Sequence, residues 1–258
     1  MKKQLSEKEA LRRERKKKIR RKRLVILALF LISTGIIVFA VLLKVKLFPI
    51  KSISAKGSSV YKSEEIIYAS GIAEKSPIMG FSKSLVEKRI TKKLPFIESV
   101  KITRNFPDAV SLKVSDANEC YLFRSGKDYY TVSEKGKVLK KSVYPTDGLI
   151  EVLSKDTLLK TGEKIAFKND KTQELFDLLS TYPKSKNITL NTINIESAVH
   201  IVINVENRFE VNLGNETNLK EKINHLAGMI AEIGDRKGKI NLDVWSNSDS
   251  KGTFIEEN

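Results

Sequence analysis

A long apolar segment near the start of the chain separates a short N-terminal arm from the remainder of the sequence. Residues 24–43 form an unbroken apolar run without a charged side chain. A helix of this length, rising about 1.5 Å per residue, crosses a hydrocarbon layer of about 30 Å. A cleaved signal peptide would have a shorter apolar stretch, of about 7–15 residues, followed by a small-x-small site. The pattern therefore predicts a transmembrane helix that is retained.

Two kinds of short apolar pattern follow a linker at 44–49. Residues spaced four apart, such as Val86 and Ile90, are typical of a helix that covers a sheet. Strict alternation, as at Leu112 and Val114, is typical of a strand with one buried face. The order of these patterns predicts a β-α-α-β-β unit over 50–116.

The region after residue 116 begins with strands and ends with mixed elements. We predict helices at 170–182 and 219–233, a hairpin at 199–213 and a last strand at 239–245. The fold class is therefore α+β: a single N-terminal transmembrane helix, the β-α-α-β-β unit and a mixed β domain. This β domain, over 117–246, closes with a helix and a strand, and 247–258 is predicted to be a flexible tail.

Positive charge is concentrated before the apolar run. The whole chain has a net charge of +16, and residues 1–23 hold thirteen Lys or Arg against three Glu. Because cytoplasmic flanks of membrane helices retain Lys and Arg, this arm is predicted to stay in the cytoplasm and to contact anionic lipid. Nucleic-acid binding is not expected, since membrane topology already explains a basic run beside a membrane helix.

The sequence offers little catalytic chemistry. Cys120 is the sole cysteine, so no intrachain disulfide can form. His200 and His225 lie far apart and outside any zinc or metalloprotease spacing. No Gly-x-Ser-x-Gly elbow follows the apolar run. We therefore predict no enzyme activity, no cofactor, no metal and no small-molecule substrate.

Trp245 is the lone tryptophan and lies at the end of the predicted last strand. It could anchor either the core or a partner. A period of two places Asn241, Asp243 and Trp245 on the more polar face of that strand, which favours a partner.

Several of these features together resemble the FtsQ/DivIB family of bacterial cell-division proteins over nearly the whole chain. The 50–116 unit is similar to that family's POTRA domain, most specifically in the string from Val100 through Arg104 to Pro107. The 117–246 region resembles the family's β domain, although Ser58 stands where the family often has Asn.

The resemblance implies a non-enzymatic divisome scaffold in the cell membrane at the division septum. Its extracytoplasmic part would bind FtsL-like and FtsB/DivIC-like bitopic proteins, with an exposed terminal strand accepting a partner strand. The partner-binding residues predicted on this basis are Asn241, Asp243, Val244, Trp245 and Ser246, with Phe254 in the tail and Arg104 in the POTRA unit.

Two other classes of protein stay open at this point. A membrane-anchored cell-wall enzyme would need a nucleophile or metal constellation. A POTRA-type secretion component would need a long run of barrel strands after 116. Neither requirement is met by the patterns above.

Overall fold

A computed structural model describes residues 2–44, 48–243 and 252–257. The chain divides into two compact units. One comprises Met1–Ser54, Ile72–Val86 and Ile102–Ser111. The other comprises Ala55–Gly71, Glu87–Lys101 and Leu112–Asn258. The predicted domain limits at 50, 116 and 246 stay a prediction.

The chain begins with one long helix, α1 (Lys2–Lys44). Its segment Arg20–Val41 is, among the described helices, the one long and apolar enough to cross a membrane. The large apolar side chains of this segment, such as Phe30 and Phe39, are exposed. An exposed apolar helix of this length fits a hydrocarbon solvent, in agreement with the predicted N-terminal anchor.

The predicted β-α-α-β-β order is confirmed. Its elements are β1 (Ser52–Lys56), α2 (Ser63–Ser70), α3 (Lys83–Lys93), β2 (Ile97–Asn105) and β3 (Ala109–Asp116). The three strands form a sheet in the order β1-β3-β2. Val86 and Ile90 of α3 are buried, as the four-residue spacing predicts, and so are Leu112 and Val114 of β3.

A nine-stranded mixed sheet dominates the rest of the chain. Its strands are β4 (Glu119–Ser125), β5 (Asp128–Ser133), β6 (Val138–Ser142), β7 (Ile150–Leu153), β10 (Leu190–Asn194), β11 (Ile201–Val205), β12 (Phe209–Gly214), β13 (Gly238–Asn241) and β14 (Thr253–Glu256). They lie in the order β14-β13-β12-β11-β10-β7-β4-β5-β6. A separate pair is formed by β8 (Thr157–Leu158) and β9 (Ala166–Phe167).

Two helices, α4 (Asp170–Ser185) and α5 (Leu219–Ile233), share one core with this sheet. Apolar residues of α5 spaced three or four apart, among them Ile223 and Leu226, are fully buried against strand residues. The cap of α4 is Asn169, whose side chain accepts a hydrogen bond from the Lys171 amide at 3.0 Å. The core therefore lies between the helices and one face of the sheet.

The end of the fold differs from the prediction. Of the last predicted strand, 239–245, positions 244 and 245 lie outside the described residues. Strand β13 ends at Asn241, whose Oδ1 accepts a hydrogen bond from the Asp243 amide at 3.2 Å and turns the chain. Part of the predicted loose tail is strand β14, which pairs antiparallel with β13. The terminal strand predicted to be exposed is thus an interior strand, and β14 takes the edge.

Candidate partner-binding edge

Strand β14 is anchored by one aromatic side chain. Phe254 lies opposite Ile240 and packs half-buried against the core, with its ring centroid 6.2 Å from that of Phe209 in an edge-to-face contact. The Arg236 guanidinium lies 5.2 Å from the centroid of the Phe254 ring. These contacts fix which face of β14 points to the core.

Two glycines allow β14 to approach closely. A Cβ at Gly238 would lie 2.1 Å from the Ile255 carbonyl oxygen, and a Cβ at Gly252 would lie 2.6 Å from Met229 Sδ. A larger residue at Gly238 would push β14 away from β13, and one at Gly252 would require the Met229 side chain or the lead-in to β14 to shift. Gly238 in β13 and Gly252 just before β14 therefore leave the space in which β14 packs.

The backbone groups of β14 alternate between the two sides of the strand. The Glu257 amide donates to the Lys237 carbonyl at 3.0 Å, which makes Lys239–Ile255 and Asn241–Thr253 the hydrogen-bonded pairs of the register. The amides and carbonyls of Phe254 and Glu256 therefore point away from β13. No strand among the described residues pairs with this outer side of β14.

The side chains beside this edge are mixed in character. Ile255 is 65% exposed and shares the outer face of the sheet with Lys239, whose amine lies 3.2 Å from the Glu210 carboxylate. On the opposite face, Glu256 lies 3.8 Å from Arg236. An edge that no strand in the described part of the chain covers, with one exposed apolar side chain and flanking charges, is suited to accept a further strand with alternating side chains.

The partner-binding residues predicted near the C-terminal end fall into three groups. Asn241 is the last residue of β13, Asp243 lies in the turn that follows it, and Phe254 lies in β14. Val244, Trp245 and Ser246 lie outside the described residues. Their predicted contacts with a partner, like those of Asn241 and Asp243, stay predictions.

Asp243 also has neighbours inside the fold. A Cβ at Gly214, where φ is +67°, would lie 2.8 Å from Asp243 Cα, so the turn sits directly on β12. The buried Lys222 amine donates to the Leu213 carbonyl at 2.6 Å and to that of Asn215 at 3.3 Å. Burial lowers the pKa of Lys222, and the Asp243 charge offsets part of that effect. Asp243 therefore helps to keep a buried lysine charged.

Arg104, the site predicted in the POTRA unit, has its guanidinium engaged within the chain. Its Nε donates to the Ile78 carbonyl at 2.8 Å and its Nη2 to the Phe81 carbonyl at 2.5 Å. The guanidinium also lies 4.6 Å from the centroid of the Phe81 ring. These contacts position a loop, and the predicted docking role stays a prediction.

Sequence reasoning missed Ile255 and Glu256. The signal was present as Thr253-Phe254-Ile255, a β-branched and aromatic run after a glycine within an otherwise polar end. This run is short and lies well after β13, the strand with which it pairs. Pairing between strands separated in this way leaves no local pattern in the sequence, so β14 was not predicted.

Comparison with known proteins identifies related sequences. The profile of the POTRA domain, FtsQ-type, matches residues 48–116. The chain is similar to cell division protein DivIB of Clostridium acetobutylicum, with 23% identity over 80% of this chain and 83% of that protein. It is similar to cell division protein DivIB of Aerococcus urinae, with 24% identity over 89% of this chain. The matched part spans 52% of that second protein.

A third similarity is more local. The chain and cell division protein FtsQ of Streptomyces venezuelae are 27% identical over 34% of this chain and 33% of that protein. Relatives with both protein names thus share sequence with this chain, and the profile match falls on the β-α-α-β-β unit.

Proposed function

The chain belongs to the FtsQ/DivIB family of cell-division proteins, and on that premise we propose that it is a bitopic scaffold of the bacterial divisome. The family is non-enzymatic, so the activity to explain is docking rather than catalysis. In this proposal α1 crosses the cell membrane at the septum, and the body beyond it binds FtsL-like and FtsB/DivIC-like partners.

The proposal is carried by the outer edge of β14, with which no strand of the described ranges pairs. The outward amides and carbonyls of Phe254 and Glu256 offer a partner strand about one hydrogen bond per backbone group, each stabilising the complex by roughly 0.5–1.5 kcal/mol. Side chains of the partner strand would alternate between Ile255 on one face and the Arg236–Glu256 pair on the other.

A proline at position 256 tests this directly. Glu256→Pro removes one outward amide while leaving the bonds between β13 and β14, since the Glu256 amide points away from β13. We expect binding of an FtsB/DivIC-type partner to the full chain in nanodiscs to weaken by roughly tenfold or more, the equivalent of about 1.4 kcal/mol.

The matched control is Glu256→Ala, which keeps the amide and loses only an exposed ion pair of small energetic value. This variant should bind as the unchanged chain does. Equal binding by the proline and alanine variants would show that β14 does not pair with the partner, although the family assignment would stand.

Membrane orientation is a separate part of the proposal. The basic residues before the apolar run favour a cytoplasmic N-terminus. In a Cys120→Ser background, Tyr144→Cys should be labelled by an impermeant maleimide in intact cells, since Tyr144 is exposed. Lys18→Cys should be labelled only after permeabilisation, and the reverse pattern would contradict the orientation.

A further inference from the structure

Three segments are joined just beyond the end of α1. Pro49 forms a bridge with Pro77, and the Ile78 amide donates to the Phe48 carbonyl at 3.0 Å. The Lys51 amide donates to the Asp108 carbonyl at 2.8 Å, and the Lys51 amine lies 2.8 Å from the Asp108 carboxylate. The start of the extracytoplasmic chain, a loop and the tip of the β2–β3 hairpin are therefore fixed to one another.

These joined segments carry four apolar side chains, which we call the juxtamembrane patch: Phe48, Met79, Phe81 and Phe106. The Phe48 and Phe106 rings meet edge to face with centroids 6.2 Å apart. Phe106 is 57% exposed and Met79 is 44% exposed, although both belong to a unit with a well-buried core. Large apolar side chains exposed on segments that are joined to one another call for an apolar partner.

The loop that carries the patch is held in place. Arg104 binds the carbonyl oxygens of Ile78 and Phe81 and lies over the Phe81 ring, so one side chain fixes both ends of the Ile78–Phe81 segment. Ile78 itself is fully buried. Met79, between them, is thus directed outward by a fixed backbone.

The length of the chain limits where the patch can be. Helix α1 ends at Lys44, and Phe48 follows four residues later. Four residues reach at most about 14 Å when extended. The polar layer on one side of a bilayer is about 5–8 Å thick, half the difference between the total and hydrocarbon thicknesses. Phe48 is therefore tethered within reach of the headgroup layer.

We propose that the juxtamembrane patch inserts into the outer headgroup layer beside α1 and so sets the orientation of the adjoining loop and hairpin. The occupant is lipid, because the patch is attached to the membrane helix by a tether too short to carry it far from the surface. Aromatic and apolar side chains at this depth gain burial while the basic groups beside them, such as Lys51, stay at the headgroups. The inference rests on α1 spanning the membrane, as proposed above.

The test uses fluorescence of the full chain in nanodiscs of phosphatidylcholine and phosphatidylglycerol. Because Trp245 is the only tryptophan, Trp245→Phe with Phe106→Trp gives a single indole in the patch. Interfacial side chains lie about 5–10 Å into the headgroup and acyl boundary. We expect bromine on the acyl chains to quench this indole and aqueous iodide to reach it poorly.

The reference is Tyr144→Trp in the same Trp245→Phe background, an exposed position whose indole iodide should quench strongly. An indole at 106 that behaves like this reference overturns the proposal. Co-elution of the chain with the disc reports membrane anchoring by α1 independently, so loss of the anchor and loss of patch insertion are distinguished.

A charged variant tests lipid insertion of the patch in a second way. Met79→Glu places a carboxylate within the patch and should reduce lipid quenching of the indole at 106 and raise its iodide quenching. The matched control, Val199→Glu, changes an exposed apolar residue before β11 and should leave both values unchanged. Lipid quenching that is insensitive to Met79→Glu, or that appears only when a partner protein is added, would count against lipid as the occupant.

Discussion

A single carboxylate, Asp116, organises the turn after β1. It accepts hydrogen bonds from Ser58 Oγ at 2.6 Å, from the Ser59 amide at 2.6 Å and from Ser59 Oγ at 2.8 Å. Burial alone raises the pKa of Asp116, but these donors together hold the pKa below its usual value. Gly57 beside it, at φ +107°, leaves no room for a side chain, since a Cβ would lie 2.2 Å from the Val114 carbonyl oxygen.

Asp116→Asn is predicted to lower the free energy of unfolding at neutral pH by about 1–3 kcal/mol, because bonds to an ionised acceptor are lost. The folded pKa is depressed, so this stabilisation is present above the unfolded pKa of about 3.9 and disappears as the pH falls through the folded pKa. Urea unfolding of the chain in micelles at several pH values measures it.

The difference between the unchanged chain and Asp116→Asn should therefore shrink below about pH 4. Asp147→Asn, at an exposed carboxylate, serves as control and should show little difference at any pH. A difference for Asp116→Asn that grows on acidification would contradict the assigned direction of the pKa shift.

Individual residues were predictable from sequence where local pattern decides their environment. Burial of Ile223 and Leu226 follows from helical spacing alone. The contacts of Arg104 with Ile78 and Phe81 do not, because they join residues more than twenty positions apart. Asp243 was chosen from strand alternation, yet it lies in a turn that Asn241 creates with its own side chain.

At the scale of elements, the position of β14 depends on the absence of a side chain at Gly238. Gly238→Ala should displace β14, because a Cβ there would lie 2.1 Å from the Ile255 carbonyl oxygen. Hydrogen exchange of the Ile255 amide, which bonds to β13, should become faster, while exchange in α5 stays unchanged.

The control for this substitution is Gly228→Ala in α5. A Cβ at Gly228 meets nothing within 4 Å, so the change should stabilise the helix by about 1 kcal/mol and leave β14 in place. Unchanged protection of Ile255 in Gly238→Ala would show that the strand tolerates the added methyl group.

Elements with a strong local period were predictable, and elements defined by distant pairing were not. Helix α5 and the hairpin of β11 and β12 lie where the apolar pattern predicts them. The parallel pairing of β7 with both β4 and β10 has no signature in local sequence. The same reason explains why β14 was predicted to be a loose tail.

At the scale of the whole molecule, the confirmed features are the α+β class, the N-terminal apolar helix and the POTRA region. They were accessible from sequence because a long apolar run and a regular order of elements are visible without knowledge of contacts. The proposed partner surface was not accessible, since the strand that occupies the edge of the nine-stranded sheet is decided by long-range pairing.

The central claim, that a partner strand adds to β14, is tested most directly by amide exchange at single residues. In the free chain, the outward amides of Phe254 and Glu256 should exchange faster than that of Ile255, which bonds to β13. Adding an FtsB/DivIC-type partner to the full chain in nanodiscs should slow exchange at Phe254 and Glu256 and leave Ile255 nearly unchanged. A partner that binds while Phe254 and Glu256 keep their free exchange rates would contradict the claim.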